Sequence, residues 1–368
     1  MRRILLIKTG FVFVIFGTFI VTFIIILAEK YASVDKKYQN KIRKDADNNF
    51  IMVSVRRGEQ IKTICSSAKV PLMSTTPLLA RNLYWLVEKR ISYCPVFKSA
   101  STVWIQNLVT LSTTNKSIIS TARKRGKSSW KGPAKYVGAI NPSESTWYNY
   151  VTTTPHLNLT AFMIVRHPFE RLVSAYRDKL ERINYSLHSK VYFYETYGKR
   201  IVERFREKAI ETLGKAFFQK SNNYGTMLTV VHGDRPNASL PSFWEFVQSV
   251  IIRFNMDAHW RPIYEQCSVC NPVQLKVNPY ILKFENLGEE SLAFVRHMHW
   301  DDKINQSVAF NVNRPTLMSS KEVTQLYFSV LSDDDIRKLY NVYEYDFLLF
   351  NYTFKFGNVT LPIKNKPT

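Results

Sequence analysis

Two stretches of this chain place a cation and hydroxyls at the junction between an apolar run and an amphipathic one. In the first, Ile91-Ser-Tyr-Cys-Pro-Val-Phe97 leads into Lys98-Ser-Ala-Ser-Thr102, then into Val103-Trp-Ile-Gln-Asn-Leu-Val-Thr-Leu111. In the second, Thr160-Ala-Phe-Met-Ile-Val165 leads into Arg166-His-Pro168 and the run from Phe169 to Leu180. Such a junction suits an anion, because a helix start offers unpaired backbone N–H groups and the positive end of a dipole. Lys98 adds charge there, and Ser101 and Thr102 add hydroxyl donors. Arg166 brings a planar fork that matches a phosphate. Ser174 lies about two turns into the second amphipathic run. Each junction also has an ordinary reading: a Ser/Thr N-cap in the first, and an Arg166–Glu170 ion pair in the second.

The elements that must position these residues follow from pattern. The six residues 160–165 read as a buried strand, and 91–97 as a second strand whose end or edge is marked by Pro95. Val103, Leu108 and Leu111 fall near helical spacing, and Phe169, Leu172, Val173, Tyr176 and Leu180 form an apolar stripe. Pro168 suits a helix start. Repeated strand–loop–helix units predict an α/β domain, and a cation at the carboxyl edge of a parallel strand faces the crevice where such sheets bind ligands. Gly126-Lys127-Ser128 imitates the end of a Walker A loop, but Thr121 stands where that loop needs glycine.

The whole chain sets the context. Lys and Arg number 51 against 29 Asp and Glu, a net charge of +22, and 45% of residues are hydrophobic. A disordered chain is excluded for most of the length, and an anionic partner is expected. From Thr9 to Ala28 there is no charged residue. A helix of about 20 such residues spans the roughly 30 Å of a bilayer. Arg2, Arg3 and Lys8 precede it, favouring a cytoplasmic N-terminus, and the run is long for a cleaved signal peptide and lacks a clean small-x-small cleavage site after it. The predicted organisation is a tail at 1–8, a transmembrane signal anchor at 9–28, a polar stem at 29–60 and one folded domain at 61–368. Asn115, Asn158, Asn184, Asn237, Asn305, Asn351 and Asn358 each begin a glycosylation sequon, which agrees with a luminal domain and removes nucleic acid as the partner. Cys65, Cys94, Cys267 and Cys270 allow three disulfide pairings. A four-cysteine zinc site is the alternative, and an oxidising lumen favours bridges. No other ligand cluster calls for a metal.

Longer runs carry a family resemblance. FMIVRHPFERLVSAYRDKLE (162–181) resembles the 3′-phosphate segment of Golgi carbohydrate sulfotransferases, closest to the chondroitin and dermatan 4-O-sulfotransferase branch. YCPVFKSASTVW (93–104) is similar to their 5′-phosphosulfate loop. DAHWRPIYEQCSVC (257–270), KFENLGEES (283–291) and LYNVYEYDFLLFNY (339–352) resemble later blocks, in family order. Phe97 stands where the family usually has proline, and Val103 where it usually has asparagine.

The resemblance implies a nucleotide-kinase-like central parallel sheet flanked by helices, with 61–368 as the catalytic domain. It also implies a donor, 3′-phosphoadenosine 5′-phosphosulfate (PAPS), and no metal. Lys98, Ser101 and Thr102 would hold the 5′-phosphosulfate, and Arg166 and Ser174 the 3′-phosphate. Lys98 would also stabilise the leaving oxygen. Of seven histidines, His259 is the candidate base, because it lies in a family-like block between Asp257 and Trp260. His167 is less suited, since the family often has an acid there. The implied acceptor is an anionic chondroitin- or dermatan-like glycan, sulfated on the 4-OH of N-acetylgalactosamine by a type II Golgi membrane protein. Basic clusters at Arg123, Lys124, Arg125, Lys127 and Lys131, and at Arg200, Arg204, Arg206 and Lys208, are candidate tracks for it. A non-catalytic glycan-binding protein with a divergent donor loop is the alternative, resting on Phe97 and Val103.

Overall fold

The computed structural model describes residues 2–67, 70–71, 83–86, 89–112, 149, 153, 159–181, 188–214, 240–271, 274–277, 279–304 and 318–362; the side chains of 2–24, 26–27, 34, 188–190 and 274 lie outside that description. A four-stranded sheet runs in the order β1 (Tyr84–Leu86), β2 (Ile91–Cys94), β3 (Thr160–Val165), β4 (Tyr280–Lys283). β1 is antiparallel to β2, while β2, β3 and β4 are mutually parallel, with Cys94 opposite Met163 and Val165 opposite Lys283. β3 has the bounds the sequence predicts, because its apolar run is uninterrupted and His167-Pro168 stops it. β2 ends at Cys94, before Pro95, which has no N–H to give a ladder.

Alternate residues of the sheet feed two cores, as a period of two requires. Ala161, Met163 and Val165 face one, with Phe169, Leu172 and Tyr176 and most of the aromatic side chains. Tyr93, Phe162 and Ile164 face the other, with Trp104, Leu108 and Phe294. α1 (Arg2–Ser66) ends on the sheet: Ser54 Oγ and Arg57 donate to the Ile281 carbonyl at 3.0 and 2.9 Å, and Arg57 grips Glu290 with both terminal nitrogens. Glu290 also accepts the Lys283 N–H at 2.9 Å. The edge of β4 is thereby covered, leaving those edge groups unavailable to another strand. α1 meets the domain from Asp47, which accepts from Arg296 Nε at 2.6 Å, and its apolar packing begins at Ile51, so residues 47–60 of the expected stem lie against the domain. The expected membrane span 9–28 falls inside α1, but nearly all its side chains lie outside the described residues. Among the described residues no helix is long and apolar enough to cross a membrane.

α2 (Ser101–Ser112) follows β2, and α3 (Pro168–Lys179) follows β3. α2 starts two residues earlier than the sequence predicts, so Ser101 and Thr102 belong to its first turn rather than to the loop. α4 (His188–Phe193) passes through a π-helical turn, Tyr194–Gly198, into α5 (Lys199–Leu213). α6 (Phe243–Ile251) precedes the short α7 (Ile263–Gln266), and α8 (Leu287–His297) follows β4. α9 (Ser320–Phe328) and α10 (Asp333–Leu349) lead to a hairpin of β5 (Phe354–Phe356) and β6 (Val359–Leu361). α6, α9 and α10 each open with a capping box on Ser242, Ser319 and Ser332.

All four cysteines are bridged: Cys65 to Cys270 and Cys94 to Cys267. The zinc alternative is therefore excluded, since no thiolate remains. One turn, Cys267–Cys270, is tied both to the end of α1 and to the end of β2.

Candidate active site

The first junction forms a tight turn at the end of β2. Lys98 and Ala100 adopt left-handed backbone angles, φ 69° and 60°, which side chains other than glycine rarely accept. Trp104 N–H bonds to the Ala100 carbonyl at 3.2 Å as α2 begins. The second junction locks onto the first. Arg166 donates to the Lys98 carbonyl at 3.0 Å and to Ser320 Oγ at 2.9 Å, with its guanidinium 4.3 Å over the Phe284 ring. Those are its hydrogen bonds among the described residues, so the expected alternative of an Arg166–Glu170 ion pair is not formed. Glu170 stays close enough to act electrostatically: burial works against the Arg166 charge, and Glu170 and Glu285 oppose that. Ser99 Oγ and Arg166 Nε are buried without a partner among the described residues, donors suited to an anion.

The Lys98 ammonium is turned toward the end of α3. Its Nζ lies 3.1 Å from Asp178 Oδ2, and Lys179 Nζ lies 3.1 Å from the same oxygen. Burial lowers the Lys98 pKa, and Asp178 works against that shift. Ser101 is buried and Thr102 exposed on the first turn of α2, while Ser174 is half-buried on α3 with no hydrogen bond to Arg166.

His259 sits beside this loop. The Phe97 ring stacks on its imidazole with centroids 4.6 Å apart, and Phe193 meets it edge-on at 5.2 Å. Asp257 Oδ1 is 2.6 Å from His259 Nδ1 and accepts the His259 backbone N–H at 2.9 Å. Tyr197, from the π-helical turn, donates to the other oxygen of Asp257 at 3.0 Å. Burial lowers the His259 pKa; the Asp257 hydrogen bond opposes this, and Lys179 and Lys98 add to it. The imidazole is thus neutral near pH 7, with Nδ1–H directed at Asp257 and Nε2 left as the acceptor nitrogen. Phe97, a departure from the family pattern, is the residue that joins the cation loop to this histidine.

The block around His259 is held by side chains from far along the chain. Arg171 of α3 is fully buried and donates to the carbonyl of His259 at 3.0 Å and to that of Arg261. Tyr343 of α10 donates to the Trp260 carbonyl. Asp346, also on α10, accepts the N–H groups of Ile263 at 2.7 Å and Tyr264 at 2.8 Å, capping α7. Burial raises its pKa to about 6, against the pull of Arg171. The C-terminal block of the sequence thus serves to hold the histidine block in place.

His167 has a structural position. Its Nδ1 accepts from Phe169 N–H at 3.3 Å, its Nε2 lies 3.0 Å from the Thr353 carbonyl, and Phe347, Tyr352 and Phe354 surround it. Burial pulls its pKa down to about 4. Beyond it a cavity of about 560 Å³ opens between Glu170, Lys321, Thr324 and Lys355. Of the basic clusters, 123–131 lies outside the described residues. On α5, Arg200, Arg204 and Lys208 are exposed, but Arg206 is committed to Glu245, at 2.7 and 3.2 Å, and is withdrawn from the track.

The sequence reading missed Arg171, Asp178, Lys179, Tyr197 and Ser320. Asp178 and Lys179 stand inside the 162–181 run, eighty residues from Lys98, and only the fold brings them to it. Asp257 was visible as the neighbour of His259 but was given no role.

A sequence model described as the Sulfotransferase family matches residues 84–353. This chain belongs to that family. Carbohydrate sulfotransferase 11 of Rattus norvegicus is 26% identical over 327 residues, 85% of this chain and 80% of the relative. Carbohydrate sulfotransferase 8 of Mus musculus is 27% identical over 200 residues, covering 54% of this chain and 41% of the relative. Carbohydrate sulfotransferase 12 of Xenopus laevis is 29% identical over 219 residues, 56% and 44% respectively. The chain therefore spans less than half of the last two. No solved structure gives a significant match.

Proposed function

We propose that this protein transfers a sulfuryl group from PAPS to a hydroxyl of an anionic glycan, the 4-OH of N-acetylgalactosamine in chondroitin or dermatan being the first acceptor to test. The observation that carries the reading is the joining of three parts: Arg166 bonded to the Lys98 carbonyl, and Phe97 of the same loop stacked on an Asp257-held His259. The residues fit the donor, because both junctions present cations and two buried donor atoms there have no partner among the described residues.

Lys98, Ser101, Thr102 and the N–H groups at the start of α2 hold the phosphosulfate, and Arg166, with Ser174 on the helix that follows it, the 3′-phosphate. As the S–O bond to the nucleotide breaks, charge collects on the leaving oxygen, where the Lys98 ammonium stabilises it. His259 Nε2 takes the proton of the acceptor hydroxyl as its oxygen bonds to sulfur, and Asp257 stabilises the resulting imidazolium. No metal takes part in this scheme. The carbohydrate sulfotransferase names of the relatives support a glycan acceptor, and Arg200, Arg204 and Lys208 would draw it in. The long uncharged N-terminal run, the sequons and two disulfides support a type II Golgi protein with its domain in the lumen.

Calorimetry with PAP, the desulfated donor, tests the donor site; micromolar binding is expected, and none would overturn it. Labelled-sulfate transfer to a panel of desulfated glycosaminoglycans, with disaccharide analysis, tests the acceptor. Binding of PAP without transfer to any acceptor would favour the glycan-binding alternative.

A further inference from the structure

The end of α3 holds an unusual arrangement: a single carboxylate oxygen, Asp178 Oδ2, lies 3.1 Å from two ammonium groups, Lys98 and Lys179. The lysine side chains are mostly buried, whereas Asp178 is 39% exposed. Lys179 also places its ammonium 4.7 Å from the Phe193 ring centroid and acts electrostatically on His259. It is therefore a second cation of the same site, on the side of the base.

A buried ammonium without an anion is costly. Lys98 and Lys179 must therefore keep a counter-charge whether or not a donor is bound. The exposed carboxylate can leave by rotating toward water, while the two lysine side chains are the more buried groups. We propose that Asp178 is an internal anion of the donor site, displaced from Lys98 and Lys179 by the sulfuryl end of the donor, which the two ammoniums then share. This rests on the donor-site reading given above. Asp178 is a positioning residue in this scheme, and Lys179 binds the transferred group beside Lys98. A small free anion must displace Asp178 without help from Arg166, so the site discriminates against inorganic sulfate. After transfer, the return of Asp178 favours release of the nucleotide.

The charged groups facing Lys98 are Asp178, Lys179 and Arg166, with His259 next to them. Replacing Asp178 by asparagine removes the one negative partner that Lys98 has among the described residues, so the alkaline limit of anion binding moves to lower pH.

The test is calorimetry on the full chain in detergent, at low ionic strength, with PAPS in the absence of acceptor and with inorganic sulfate as separate titrants. Asp178→Asn is expected to bind both about tenfold more tightly, a change of ~1.4 kcal/mol, with a lower KM for PAPS and a lower kcat. Asp178→Glu should stay within twofold of the wild type, and Lys179→Met should lose about tenfold in PAPS affinity. Unchanged affinity in Asp178→Asn, or equal weakening in Asp178→Asn and Asp178→Glu, overturns the proposal. Should Asp178→Asn fail to fold by circular dichroism, unchanged PAPS affinity in Lys179→Met overturns it instead. Absence of both PAPS and PAP binding by the wild type would sink the donor-site reading, a result separate from all of these.

Discussion

The cation junctions and the histidine block are built in opposite ways. Lys98 and Arg166 stand at the ends of adjacent parallel strands, where a few neighbouring residues create the site from backbone geometry. His259 stands on irregular chain between α6 and α7, where its neighbours in sequence supply only Asp257. Everything else that fixes it comes from afar: Phe97 from the β2 loop, Arg171 from α3, Tyr343 and Asp346 from α10, and the bridge from Cys94 to Cys267. The proposed anion site can be made locally, whereas aiming the proposed base needs the whole core.

The largest expected effects fall on the local region. Lys98→Ala should lower transfer by about a thousandfold, as loss of charge stabilisation at a leaving group does, and Arg166→Ala should raise the KM for PAPS, as loss of a guanidinium that grips the 3′-phosphate does. Lys98→Ala should leave the melting temperature near that of the wild type, Arg166→Ala should lower it through the loss of two buried hydrogen bonds while the chain still folds, and full activity in either would break the assignment.

His259→Gln should cost about a hundredfold or more in kcat, the scale of a lost general base, with PAP affinity nearly unchanged. The pH profile carries the sign. The imidazole must be neutral to accept a proton, and burial holds its pKa below the ordinary value. The acid limb of kcat/KM should therefore lie below about pH 6.5. Asp257→Asn removes the hydrogen bond that opposes the lowering, so the limb should move further to acid while kcat falls. A limb that moves toward alkali would contradict the pairing.

The bridge between the regions can be opened directly. Cys94→Ser with Cys267→Ser should cost about 2–5 kcal/mol in urea unfolding, the range for a native disulfide. It should depress kcat more than PAP affinity, because the histidine block loosens while the junctions keep their strands. Equal losses in both would mean the two regions are not built independently. The smallest effect is expected for Tyr197→Phe, which keeps the ring and loses one hydrogen bond to Asp257. A cost of about 1 kcal/mol in the barrier, without loss of stability, is the expected reading from rate and melting measurements.

The same contrast explains what could be read in the sequence. The β3 strand and its helix were legible residue by residue, because an unbroken apolar run ending in His167-Pro168 encodes them locally. Lys98 and Arg166 were legible as cations at the ends of neighbouring strands for the same reason. The start of α2 was placed late, because Ser101 and Thr102 read as loop hydroxyls and instead fill the first helical turn. Arg171 read as one more charge in an amphipathic helix; nothing local says that it points into the core at the His259 carbonyl. The cysteine pairing was open because spacing alone does not choose among three connectivities. Phe97 read as a defect in the loop, and its ring is the contact with His259.

The pairing of Cys65 with Cys270 and of Cys94 with Cys267 also determines what happens when the backbone is cut. A single nick anywhere between residues 65 and 270 leaves the two pieces covalently joined through one bridge or both. A nicked molecule should therefore migrate as one band without reductant and as two with it. The half carrying Lys98 and the half carrying His259 would remain a single molecule, so a protease that enters this long stretch cuts the chain without dissociating the site.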